Sequence, residues 1–165
     1  MRYLTLIRHA KASWADPDQR DHERPLNQRG LRDAPMMAAH VAAAVPRPDR
    51  ILVSTAHRTQ QTGTFFTDAL QGDQEIEIVH EKRIYEASLS TLLETIEATP
   101  AHIKHLMLIG HNPGMAHLHS HIAYPEFREF PTCAVAHLRI QREGWSEILP
   151  GCGETVLYLT PKTLG

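Results

Sequence analysis

Apolar residues recur along the chain in two rhythms. Residues 2–8 (RYLTLIR) and 50–54 (RILVS) are short runs rich in strand formers, and 76–79 (IEIV) is another. Residues 105–111 (HLMLIGH) are nearly all apolar, as expected of a strand buried on both faces of a parallel sheet. Between these runs the spacing turns helical. Leu31, Ala34, Ala38, Val41, Ala42 and Val45 predict one helix, with Asn27 as its N-cap and Pro46 as its stop. Pro35 falls inside that pattern and predicts a kink or a later helix start. Thr62, Phe65, Phe66, Ala69 and Leu70 predict the buried face of a helix over 57–70. Ser88 is placed to cap a helix that buries Leu89, Leu92, Leu93 and Ile96, and Met115, Leu118 and Ile122 mark another after Pro113.

The last third changes character. CAVAHLRI (133–140) alternates, and WSEIL (145–149) and ETVLYLT (154–160) follow across turns containing Gly144, Gly151 and Gly153. These segments predict antiparallel strands. Strands alternating with helices and then a β tail imply one three-layer α/β/α domain over residues 1–165, with a mixed, mostly parallel central sheet.

A chain of 165 residues, 42% hydrophobic, is long enough to bury one sizeable core. Its formal net charge of −2 argues against a general nucleic-acid binder. The start, MRYLTLIRHAKAS, has too short an apolar run for a signal peptide, and no stretch reaches the roughly 18 apolar residues of a membrane span. Cys133 and Cys152 form no C-x-x-C pair, so neither a disulfide framework nor a cysteine zinc site is indicated. A cytoplasmic enzyme without membrane association is the expectation. The 12 histidines are the unusual count.

In open α/β sheets, ligands bind outside the carboxyl ends of the strands. The first strand ends in Arg8-His9, RILVS runs into Ser54-Thr55-Ala56-His57-Arg58, and HLMLIGH ends in Gly110-His111-Asn112. Three segments thus deliver two arginines and two histidines to one edge, as a phosphoryl site requires. Neutral imidazole is a competent nucleophile near pH 7. Paired guanidiniums grip phosphoryl oxygens with a fork that lysine cannot copy.

LIRHAKASW, DHERPLNQRG, VSTAHRTQQT, IYEAS, LMLIGHNPG and PTCAVAHL occur in that order across nearly the whole chain. Together they resemble the SixA-type phosphohistidine phosphatases, a small branch of the histidine phosphatase (phosphoglycerate-mutase-like) superfamily. The resemblance implies a metal-independent and cofactor-free phosphatase. In it His9 is the nucleophile, Arg8, Arg58 and His111 complete the phosphate pocket, and Glu86 stands where the superfamily often keeps a proton donor. It also implies a phosphorylated substrate, with a histidine-phosphorylated signalling or phosphotransfer protein as the candidate partner. The common Arg-His-Gly tripeptide reads Arg-His-Ala here, so Ala10 must hold ordinary backbone angles.

Plainer readings stand beside these. Glu86 is either a proton donor or a solvated loop carboxylate. Lys11 and Ser13 can donate to phosphate from the first loop or serve as surface and turn. Arg20, with Asp21, His22 and Arg24, forms a polar loop able to contact substrate. Asn112 orients His111 or begins the turn before Pro113. His102 and His105 precede a strand and are expected to be exposed. His117 and His121 would share a helix face with no H-E-x-x-H pattern, so no metal site is expected. Against phosphohistidine hydrolysis stand a phosphatase of small phosphate esters and a non-catalytic phosphate-binding scaffold. A mutase is disfavoured because the chain is short for a lid.

Overall fold

The computed structural model describes residues 1–164. β1 (Arg2–Arg8), β2 (Arg50–Val53), β3 (Glu77–His80) and β4 (His105–Gly110) run parallel, and β5 (Val135–Ile140) and β6 (Gly153–Leu159) complete the sheet in the order β3-β2-β4-β1-β5-β6. β5 is antiparallel to β1, and β6 antiparallel to β5. The helices are α1 (Gln28–Ala44), α2 (His57–Leu70), α3 (Leu89–Glu97), α4 (Gly114–Ile122) and the short α5 (Pro161–Leu164).

Alternation in the strands sorts the core into two layers. Leu4, Leu6, Leu106, Leu108, Ala136 and Leu138 pack with Leu92, Ile96, Met115, Leu118 and Ile122 of α3 and α4. Ile7, Ile51, Val53, Met107, Ile109 and Val135 pack with Met37, Val41 and Phe66 of α1 and α2. The central strands are covered on both faces, the condition that makes β4 apolar throughout. This is the α/β/α architecture expected, with four parallel strands and a two-stranded antiparallel extension. No described helix is long and apolar enough to cross a membrane.

Several local expectations are corrected. α1 starts at Gln28 and continues through Pro35. Leu31 and Pro35, four residues apart, are both exposed, so the carbonyl that proline leaves without a donor lies on the solvent side. The buried stripe of α1 is therefore Gly30, Asp33, Ala34, Met37, Ala38 and Val41, while Leu31 and Ala42 face water. Ala69 in α2 is likewise exposed. WSEIL is no strand: Glu147 has φ of 58°, which breaks the extended chain, and Trp145 and Ile148 plug the core three residues apart. The Trp145 indole donates to the Ile103 carbonyl at 2.7 Å. Cys133, with φ of 61°, delays β5 to Val135. His105 is buried because it opens β4 beside Tyr3 and turns its Nε2 onto the Thr5 hydroxyl at 2.7 Å.

Candidate active site

Strand register assembles the site. Arg8 pairs with Gly110 and Val53 with Ile109, so β1, β4 and β2 end side by side. The chain stays tied just beyond them. His9 N–H donates to the Gly110 carbonyl at 3.0 Å, Ser54 N–H to Ile109 at 3.1 Å, and Cys133 N–H to His9 at 3.0 Å. α2 then starts at the same edge and points Arg58 and Thr62, one turn apart, back at the β1 terminus. The Thr62 hydroxyl accepts the Ala10 N–H at 3.0 Å. Ala10 is fully buried and is not among the residues with positive φ, so alanine replaces glycine here without strain.

The hydrogen bonds fix which ring nitrogens are free. His9 Nδ1 sits 2.7 Å from the Ala10 carbonyl, which can only accept, so Nδ1 carries the proton and Nε2 keeps its lone pair. Arg58 Nε–H donates to that Nε2 at 3.4 Å, and its Nη2 donates to His111 Nδ1, also at 3.4 Å. His111 Nε2 is then left to donate to the Ser54 hydroxyl at 2.7 Å. The two imidazole centroids are 5.3 Å apart. One guanidinium thus faces the lone pairs of both rings. Arg8 gives Nη1 to the Phe130 carbonyl at 2.9 Å, while its Nε is buried with no partner among the described residues.

Burial pushes His9 down to about 4; the bond to the Ala10 carbonyl opposes it, and the charges of Arg58, Arg8 and Arg24 add to the lowering. Burial, His9 and Arg58 push His111 down to about 3. Both rings are neutral near pH 7, so the positive charge beside them comes from the arginines. Burial and Arg58 also lower Arg8 from its ordinary value.

Asp21 and Tyr85, which no sequence pattern links, brace Arg58. Asp21 accepts from Arg58 Nη2 at 3.0 Å, from Arg24 Nη1 at 2.9 Å and from the Tyr85 hydroxyl at 2.5 Å. Its backbone carbonyl also takes Arg58 Nη1 at 2.7 Å. Burial alone would raise the Asp21 carboxyl, but the bonds from Tyr85, Arg24 and Arg58 outweigh it and hold the group well below the usual carboxylate range. Tyr85 is pushed up to about 12 by burial and by its bond to Asp21. Its ring lies edge-on to His111, with centroids 5.4 Å apart. Asp21 therefore anchors Arg58 from the side away from the histidines. The only sequence signal was its place in the polar loop that includes Arg20.

The remaining candidates fall elsewhere. Arg20 is exposed and pairs with Glu23 at 3.2 Å, so Asp21 and Arg24 of its loop, rather than Arg20, adjoin the pocket. The Ser13 hydroxyl accepts the Ala15 N–H at 3.0 Å and serves a turn. The Lys11 carbonyl accepts Asn27 N–H at 3.0 Å, and a Cβ on Gly30 would lie 2.2 Å from that oxygen, so α1 closes on this loop at glycine. Asn112 gives its amide to the Phe130 carbonyl at 2.8 Å and accepts from Ala116 N–H at 3.3 Å; it braces the start of α4. Glu86 is exposed, with φ of 51°, and lines a cleft of about 530 Å³ together with His111 and Asn112. No group of three or more His, Cys, Asp or Glu among the described residues is placed to hold a metal ion.

A parallel-stranded α/β sheet whose carboxyl edge presents arginines around two neutral histidines defines a phosphoryl-handling enzyme. The profile of the histidine phosphatase superfamily (branch 1) matches residues 4–105, and the chain belongs to that superfamily, whose phosphatases use a histidine nucleophile. Its architecture is of the SixA type. It is 35% identical to the candidate phosphohistidine phosphatase SixA from Agrobacterium tumefaciens, with a TM-score of 0.79 over 97% of this chain and 98% of that one. The fold also matches the protein histidine phosphatase SixA complexed with tungstate, with a TM-score of 0.82 over 99% of each chain at 21% identity. An uncharacterized protein of Mycobacterium tuberculosis is 29% identical over 94% of this chain and 100% of its own length.

Proposed function

We propose that this enzyme hydrolyses phosphohistidine on a protein, without a metal, through a phosphoryl intermediate on His9 Nε2. The observation that carries the reading is Arg58 donating at 3.4 Å to both His9 Nε2 and His111 Nδ1. A phosphoryl oxygen that replaces those long contacts receives the guanidinium directly and leaves phosphorus beside the His9 lone pair. The Nε2–P bond forms as the P–N bond of the substrate breaks; the electron pair stays on the departing ring, which leaves as neutral imidazole because its other nitrogen already carries a proton. Water then attacks phosphorus, the Nε2–P bond breaks, and inorganic phosphate leaves.

Arg8 and Arg58 stabilise charge on the equatorial oxygens, the main demand of phosphoryl transfer. His111 is neutral before binding, and a bound phosphoryl dianion favours its protonation at Nδ1, which becomes another donor. These groups supply the positive charge that a metal ion provides in other phosphoryl-transfer sites. The partner at this site would be a histidine-phosphorylated signalling or phosphotransfer protein.

A second reading, cleavage of small phosphate esters, is favoured by Glu86 lining the same cleft as His111. An alkoxide leaving group needs a proton from the enzyme, whereas a substrate ring already protonated at its other nitrogen leaves as neutral imidazole without one. The test is Glu86→Gln assayed on a phosphohistidine protein and on an aryl and an alkyl phosphate. Unchanged phosphohistidine turnover with slowed ester cleavage supports both the preferred substrate and a donor role for Glu86. Wild-type rates that are high on esters and negligible on phosphohistidine would reverse the order of the two readings.

A further inference from the structure

Ser54 takes no part in the steps above, yet it is firmly held behind the site. It lies one position beyond β2 and is fully buried. Its N–H donates to the Ile109 carbonyl at 3.1 Å, and its carbonyl receives the Thr59 hydroxyl at 2.8 Å and the Gln60 amide at 2.7 Å. The first turn of α2, the helix that carries Arg58, is thereby tied to the end of β2. The side chain is left to face the second histidine. Its hydroxyl sits 2.7 Å from His111 Nε2 and takes the Ala56 N–H at 3.4 Å.

The opposite ring nitrogen decides which way that bond runs. Arg58 Nη2 lies 3.4 Å from His111 Nδ1 and can only donate, so the proton of the neutral ring is on Nε2 and Ser54 accepts it. Ser54 is the one partner of Nε2 among the described residues, so without it a buried N–H would lack an acceptor. Only this tautomer presents a bare Nδ1 to the pocket, ready to gain a proton when a phosphoryl dianion binds. The imidazolium then carries N–H groups on both sides. An accepting hydroxyl serves the neutral ring and the cation alike, and its bond strengthens once the ring is charged. The other groups around the ring give little such help. His9 and Arg8 from β1 and Arg58 from α2 oppose protonation, Asp21 favours it, Tyr85 presents a ring edge, and Glu86 and His117 line the cleft alongside.

We propose that Ser54 is a positioning residue for phosphoryl transfer: its hydroxyl keeps the His111 proton on the nitrogen remote from substrate and steadies the imidazolium that forms when a phosphoryl group binds. The inference deepens the reading of His111 as a phosphoryl donor and rests on it. It does not depend on which phosphorylated molecule is the substrate.

The test is heteronuclear NMR of the histidine ring nitrogens in the full chain, with inorganic phosphate as the probe and the His111 signals assigned by their loss in His111→Gln. The wild-type free enzyme should show a proton on Nε2 alone, and the phosphate complex should show protons on both nitrogens. In Ser54→Ala the pKa of His111 in the phosphate complex should fall by about half to one pH unit, and phosphate affinity by about three- to tenfold, the size expected of one hydrogen bond to a charged group. Ser54→Cys, close in volume and a weak acceptor, should shift both in the same direction and serves if Ser54→Ala does not fold. An unchanged pKa of His111 in the phosphate complex of a folded variant would overturn the role of Ser54, even if turnover fell. So would a wild-type free ring protonated on Nδ1. A wild-type ring that stays neutral at every pH at which phosphate binds removes the reading of His111 itself.

Discussion

Two histidine pairs occupy the same sheet, and they are nearly superposable in kind. His9 and His111 have ring centroids 5.3 Å apart; His105 and His137 are 5.1 Å apart. All four are buried, and burial first of all lowers every one, to about 4 for His9, His105 and His137 and about 3 for His111. What differs is the group between the rings. Thr5 offers its hydroxyl to His105 Nε2 at 2.7 Å and to His137 Nδ1 at 2.8 Å, and a hydroxyl can donate to one nitrogen while accepting from the other. Those nitrogens are satisfied, and Tyr3 stacks flat on the His137 ring at 5.4 Å. Arg58 can only donate, so both lone pairs face a cation. Burial and imidazole spacing are common to both pairs. On the proposed reading, the cationic bridging group is what suits His9 to act as the nucleophile.

The largest separation between the pairs should come from deleting one ring of each. His9→Ala should lower turnover by roughly 10⁴-fold or more while leaving the fold intact, because the covalent step has no substitute. His137→Asn should keep kcat within about twofold but cost about 1–3 kcal/mol in urea unfolding, the penalty of disturbing a buried hydrogen-bonded group. If His137→Asn abolishes turnover at full stability, the division between the pairs is wrong.

Removing the catalytic bridge comes next. Arg58→Ala should cost about 10²–10³-fold in kcat and weaken vanadate binding, as expected for loss of a donor aimed at developing charge. Vanadate affinity equal to that of the wild type would take Arg58 out of the pocket.

The smallest effect is one the pairs share. A histidine lowered by folding binds fewer protons in the native state than in the unfolded chain. Its contribution is therefore intact above the unfolded value near 6.5 and is lost as pH falls through the folded value. Chemical denaturation should show stability declining between about pH 6.5 and pH 4, with a slope near 1.4 kcal/mol per pH unit for each fully participating ring. His137→Asn should remove close to one proton from that slope; an unchanged slope would mean that His137 titrates normally.

Much of the framework is legible in the sequence because it depends on local pattern. β4 reads as a double-sided strand from its own composition, and the caps are the residues expected: the Asn27 side chain accepts Gly30 N–H at 2.9 Å, and Ser88 accepts Thr91 N–H at 3.3 Å. The convergence of residues 8, 9, 58 and 111 is legible too, since strand ends in a parallel sheet must share an edge. What the sequence hides is pairing at long range. Asp21 meets Tyr85 across 64 residues and Ser54 meets His111 across 57, and no spacing rule announces either contact. His105 misleads for the same reason. It stands at the start of a strand, where exposure is the usual outcome, and is buried by Thr5, a residue 100 positions away. WSEIL misleads because its apolar residues fit a strand until one positive φ turns them into a plug.

The most direct measurement is to quench the enzyme in alkali during turnover of a phosphohistidine protein and map the acid-labile phosphoryl group on the chain. A single label on Nε2 of His9, present in His137→Asn and absent from His9→Ala, is the expected result. Turnover with no label on residue 9, or a label that persists elsewhere when His9 is alanine, would contradict it.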